Sequence, residues 1–109
     1  MTRITYGDTK LYQELTLSGH AEDRIVCAGI SAVSQTLIAN LLKEESAGRI
    51  RLQWQMATPG EIWIRAWPGK ENRDGIRAMF LFTMTGLKQI GKDYPGNLET
   101  REEEKNGDV

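Results

Sequence analysis

The sequence predicts an α+β fold, a small sandwich of two β-hairpins and two α-helices in the order β-β-α-β-β-α. Three observations carry that expectation. Two pairs of short segments alternate apolar and polar residues on either side of a turn signal, the pattern of half-buried hairpins. Two longer segments repeat apolar residues at spacings of three and four, the pattern of helices with one buried face. The chain of 109 residues is the length of one domain, large enough for two packed layers around a single core.

The elements follow in order. Thr2 to Tyr6 is a short strand, and Gly7-Asp8 with Thr9 is a turn signal. Leu11 to Leu17 is the second strand, with Leu11, Gln13, Leu15 and Leu17 on one face against Tyr12, Glu14 and Thr16. Ile30, Val33, Leu37 and Leu41, with Ala28, Ala32 and Ala39 between them, predict a helix from about Cys27 to Glu45, ended by Ser46-Ala47-Gly48. Ile50, Leu52, Trp54 and Met56 then alternate with Arg51, Gln53 and Gln55. After a turn at Pro59-Gly60, Ile62, Ile64 and Ala66 oppose Trp63, Arg65 and Trp67. Pro68-Gly69 closes this hairpin. Ile76, Met79, Phe80, Thr83, Leu87 and Ile90 mark a second helix over roughly Asn72 to Lys92, and Pro95-Gly96 ends the ordered part. The first helix is expected to pack on strand faces that hold Leu15, Leu17, Leu52 and Ile64. This gives one domain over residues 1–98 and a flexible acidic tail over 99–109, since "REEEKNGDV" has no apolar periodicity.

Composition narrows the function classes. A formal net charge of -1 and a sequence pI near 5.8 supply no general attraction to nucleic acid or to an anionic membrane, so neither is an expected partner. The opening "MTRITYGDTK" has no apolar run, and the uncharged stretch late in the chain, Ala78 to Leu87, is too short to cross a bilayer. A single cysteine excludes an internal disulfide, and the expected location is the cytoplasm, where its thiol stays reduced.

That cysteine and the single histidine lie close together in "GHAEDRIVCA", as His20 and Cys27. A thiol at the first turn of a helix faces unpaired N–H groups and the positive end of the helix dipole, both of which favour the thiolate. An imidazole within reach of the sulfur takes its proton during attack on a carbonyl and later returns it to the leaving amine. Backbone N–H groups near Cys27 and Ala28 are then candidates to hold the oxyanion. Asp23 is a candidate orienter of His20 if the loop turns back. The competing reading is structural: a lone cysteine between Val26 and Ala28 is ordinarily a small buried hydrophobe, and a lone histidine before a loop is ordinarily a surface residue. A metal site is not expected, because His20, Cys27 and Glu22 or Asp23 leave a four-ligand set incomplete. No cofactor is implied.

Three separated stretches, "LSGHA", "IVCAGISAVSQTLIANLL" and "MTGLKQIGKDYPGNL", together resemble the ribosomal-processing cysteine proteases called Prp, or YsxB-like proteins, over about residues 15 to 98. The resemblance implies a catalytic histidine at His20, a catalytic cysteine at Cys27 and a supporting serine at Ser31. It also implies a homodimer that removes a short N-terminal extension from a large-subunit ribosomal protein. The chain departs from the family pattern in a His-to-Cys loop about five residues shorter, in Arg24 standing where the family has an aspartate, and in Gly29-Ile30 replacing Ala-Val. The shorter loop motivates the alternative function, a family member that has lost catalysis and binds a ribosomal or phage-type protein segment through the second hairpin. Trp63 and Trp67, opposite Ile62 and Ile64, then point to a second layer, a dimer seam or a peptide groove.

Overall fold

The structure, a computed structural model, describes residues 1–58 and 60–105. Its elements are β1 (Thr2–Thr9), β2 (Gln13–Ser18), α1 (Arg24–Ser46), β3 (Ile50–Thr58), β4 (Glu61–Pro68), a 3-10 turn (Lys70–Asn72), α2 (Arg73–Asp93) and β5 (Leu98–Lys105). The order β-β-α-β-β-α is therefore present, with a fifth strand after it. One sheet holds all five strands in the order β3-β4-β2-β1-β5. Neighbours are antiparallel except β1 and β5, which run parallel from Thr2↔Leu98 to Thr9↔Lys105.

Strand alternation decides which face is covered. Ile4, Tyr6, Leu15, Leu17, Ile62, Ile64 and Ala66 are buried, whereas Arg3, Thr5, Glu14, Thr16, Trp63 and Arg65 keep partial or full exposure. Both helices pack on the first set, so the fold has two layers and one open sheet face instead of helices on both. From α1 the core takes Val26, Ile30, Leu37, Ile38 and Leu41, and from α2 Ile76, Phe80, Met84 and Leu87. The helices approach each other where side chains are absent: a Cβ on Gly29 would lie 3.4 Å from Ile90 Cδ1, and one on Gly86 would lie 3.6 Å from Val33. Leu52 is half-buried against the same core.

Three expectations need correction. Gly7-Asp8-Thr9 is strand, not turn, since Gly7 pairs with Glu14 and Asp8 with Gln13. The chain reverses at Lys10 to Tyr12, where Thr9 Oγ1 accepts from the N–H groups of Leu11 (3.2 Å) and Tyr12 (2.8 Å). Leu11 is accordingly 51% exposed and not on the inner face of β2. The expected tail supplies β5 over 98–105, and residues 106–109 lie outside the described residues. Thr2 N–H donates to Asn97 O at 3.0 Å, and Leu98 is buried against Gly91. Pro59, half of the expected Pro59-Gly60 turn, also lies outside the described residues.

By length and composition alone, α1 is the one described helix long and apolar enough to cross a membrane. Its composition has a local cause: one side packs in the core, while the other carries small or weakly polar Ala28, Ser31, Ala32, Thr36 and Ala39 instead of charges.

Candidate active site

A cleft of about 370 Å³ opens between the N-terminal half of α1 and the end of the sheet where β3 and β4 meet. His20 enters it from the β2–α1 connection, and Cys27 and Ser31 enter it from α1. Ile30, Met56 and Ile62 supply apolar wall. Cys27 is half-buried and His20 exposed. Two residues with no counterpart elsewhere in the chain thus share one concave surface, the arrangement in which loops carried by rigid elements present chemistry.

Local sequence explains how each is held. Asp23 is the N-cap of α1: its carboxylate accepts from the N–H of Ile25 at 2.8 Å and of Val26 at 3.4 Å. Its own N–H donates to Asn97 Oδ1 at 3.2 Å, tying the loop to the approach to β5. In this structure the hydrogen bonds that the Asp23 carboxylate accepts are those of a cap, both through Oδ1. The helix begins three residues before Cys27, and the Cys27 N–H donates to Asp23 O at 3.0 Å. That amide is committed to the helix ladder. Ala28 is exposed and is not part of the cleft lining. The Cys27 thiol donates to Ala21 O at 3.0 Å, so the resting proton sits between the sulfur and the loop backbone.

Gly60 is a site residue that sequence reasoning did not single out. Its φ of +89° is a conformation that glycine adopts without strain. A Cβ there would lie 2.8 Å from His20 Cε1, 2.9 Å from Nε2 and 3.0 Å from Gly19 O. The imidazole therefore rests on bare backbone of the β3–β4 turn. A glycine after proline signals a turn, but nothing in the sequence signals what packs on it. Ser34 and Gln35 also line the cleft. Ser34 is buried and donates to the carbonyl of Ile30.

Trp63 and Trp67 of β4 lie on the open sheet face, where they are engaged internally. The Arg65 guanidinium lies 4.2 Å from the centroid of Tyr12, 5.3 Å from Trp63 and 5.7 Å from Trp67. Glu14 accepts from Arg65 Nη2 at 2.9 Å and from the Trp63 indole. No group of His, Cys, Asp and Glu among the described residues is placed to hold a metal ion.

Comparisons with known proteins agree with this architecture. The ribosomal processing protease Prp from S. aureus, solved with a covalently linked product peptide, superposes with a TM-score of 0.74 at 21% identity, covering 94% of this chain and 100% of that one. The S. aureus protease solved with a substrate peptide gives 0.72 at 17% identity, covering 94% and 100%. SMU.848 from Streptococcus mutans gives 0.72 at 18% identity, covering 96% and 99%. At these identities the likeness establishes the fold. No curated protein matches the sequence. The sequence model of cysteine protease Prp, however, matches residues 1–99. Because that match runs from β1 through both helices and takes in the whole cleft, the chain belongs to the cysteine protease Prp family.

Proposed function

We propose that the chain is an endopeptidase that removes a short N-terminal extension from a large-subunit ribosomal protein, with Cys27 as nucleophile and His20 as general base and then general acid. The observation that carries this reading is the joint placement of the only thiol and the only imidazole in one cleft of a cysteine protease fold. The S. aureus relatives are ribosomal processing proteases solved with peptides, which supports an extended peptide as the ligand here.

In the mechanism, the thiol proton leaves its contact with Ala21 O and passes to His20 as the sulfur attacks the scissile carbonyl. The resulting C–S bond and oxyanion collapse to a thioester as His20 returns the proton to the leaving amine. Water then attacks the thioester, His20 taking one of its protons, and the carboxylic acid and free thiol are released. With the Cys27 amide bonded to Asp23 O, the oxyanion draws on other donors. Ser31, one turn along α1 and in the same cleft, is the side chain assigned to orient the peptide at that point. We place the reaction in the cytoplasm and assign the working form as a homodimer, supported by the Trp63, Trp67, Tyr12 and Arg65 cluster, of a composition enriched at interface centres.

The test is incubation of the protein with the N-terminally extended large-subunit ribosomal protein of its own organism, read by intact mass. The expected result is one cleavage, lost in Cys27→Ala and His20→Ala. An intact substrate with a folded wild-type protein would leave the fold as a binding module for that segment.

A further inference from the structure

The sheet has two free edges, and they are built differently. Six of the eight residues of β5, LETREEEK, are charged, a composition that keeps other strands away. The other edge, β3, reads IRLQWQMAT. It carries one charge in nine residues, no proline and no glycine. Among the described residues nothing pairs with its outer side.

Side chains on β3 are also unusual for an edge. Ile50 is buried and Leu52 half-buried, as an inner face requires, but Trp54 and Met56, continuing the same alternation, are 43% and 45% exposed. Met56 and its neighbour Ala57 line the cleft that holds His20 and Cys27. The ladder to β4 is irregular between Met56 and Thr58, a bulge at the cleft end of the strand, and bulges of this kind redirect a strand beside active sites. An unblunted backbone edge with two exposed apolar side chains therefore runs directly into the candidate active site.

We propose that the outer edge of β3 is a strand-addition site for the substrate. An extended peptide segment flanking the scissile bond pairs with it and sets apolar side chains at every second position against Trp54 and Met56. The inference rests on the protease reading of the cleft and adds how the peptide is held and which residues select it. Backbone pairing supplies affinity with little regard to sequence, and the two apolar contacts, about 7 Å apart along the strand, supply selection. Gln53 and Gln55 on the opposite side of the strand are uncharged, so the matching peptide positions are polar or neutral.

The experiment uses the Cys27→Ala protein, which binds without cleaving, and a displayed library of random decapeptides. Enriched peptides are expected to carry aliphatic or aromatic residues at every second position. The best one, made synthetically, should bind at least tenfold more weakly to the protein with Trp54→Lys and Met56→Lys added, with binding recovered by Trp54→Phe and native Met56. N-methylation of its backbone amides should abolish binding at alternate positions only. Thermal melting checks that each variant is folded. Peptides bound equally well by the Lys variant, or insensitive to N-methylation, would overturn the β3 site and leave the protease reading standing. If peptide binding requires the dimer to dissociate, the edge belongs to a second copy and the proposed occupant is wrong. A library that yields no binder would overturn both readings.

Discussion

His20 touches Gly60 so closely that the glycine's missing side chain is part of the site. An added Cβ must displace the imidazole or the turn, being 2.8 Å from one and 3.0 Å from Gly19 O. Gly96 has a similar φ of +86° but nothing within 4 Å of its added Cβ. Gly96→Ala is therefore the control for backbone strain, worth about 1 kcal/mol or more. Gly60→Ala should cost more than the control in thermal melting and should also shift the single histidine Cε1–H resonance, whereas Gly96→Ala should leave that resonance in place. Asp23 makes the opposite case. Replacing it with alanine removes the acceptor of two cap hydrogen bonds and should cost about 1 kcal/mol of stability with turnover per folded molecule retained, measured by melting and by cleavage rate. His20 and Cys27 stand out in the sequence because each is alone of its kind, and the structure places both in one cleft. The roles of Asp23, Ala28 and Gly60 were not legible there, because they depend on where α1 begins and on a contact between residues forty apart in sequence.

At the scale of elements, both helices and the second hairpin were legible because each buries one face and shows the matching period. The strand β5 was not. Only Leu98 of its first residues is buried, and the strand is held by backbone pairing with β1, which leaves no alternation to read. Burial of Leu98 alone is worth about 1.5–3 kcal/mol. A chain ending at Asn97 should therefore melt about 6 °C lower or more and aggregate through the bared edge of β1, as scanning calorimetry and light scattering would show. The turn lies at Lys10 to Tyr12 and not at Gly7 to Thr9 for a related reason. Gly7 and Asp8 are common turn residues, but Asp8 is drawn into a polar chain that links β1, β2 and α2. In that chain the Tyr6 hydroxyl donates to Gln13 Oε1, Gln13 Nε2 donates to Asp8 Oδ1 at 2.6 Å, and Arg77 Nε donates to Asp8 Oδ2 at 2.9 Å. Burial, reinforced by the Asp8 charge, raises the Tyr6 phenol above its ordinary value of 10.0. The unfolded chain then loses this proton at lower pH than the folded one. Its contribution to stability is complete below about pH 10 and falls as pH rises beyond it. In Tyr6→Phe, urea melts should show about 1–3 kcal/mol lost at neutral pH and a shallower decline in alkali.

At the scale of the molecule, one covered and one open sheet face divide the work. The covered side carries the core and, at its end, the cleft. The open side carries Arg65 among Tyr12, Trp63 and Trp67, which gives the proposed dimer a physical basis. Light scattering at micromolar concentration should return about twice the 12.3 kDa chain mass, and Trp67→Glu should return the monomer. The overall α+β class was legible, while its one-sidedness was not, because alternating residues do not say whether the outward set meets a second layer. The central claim is that Cys27 and His20 work as one unit, and the rate of iodoacetamide alkylation of Cys27 at pH 7 tests it without any substrate. If the imidazole takes the thiol proton, His20→Ala should slow alkylation about tenfold or more in protein shown to be folded. Equal rates in the wild-type and His20→Ala proteins would contradict the account.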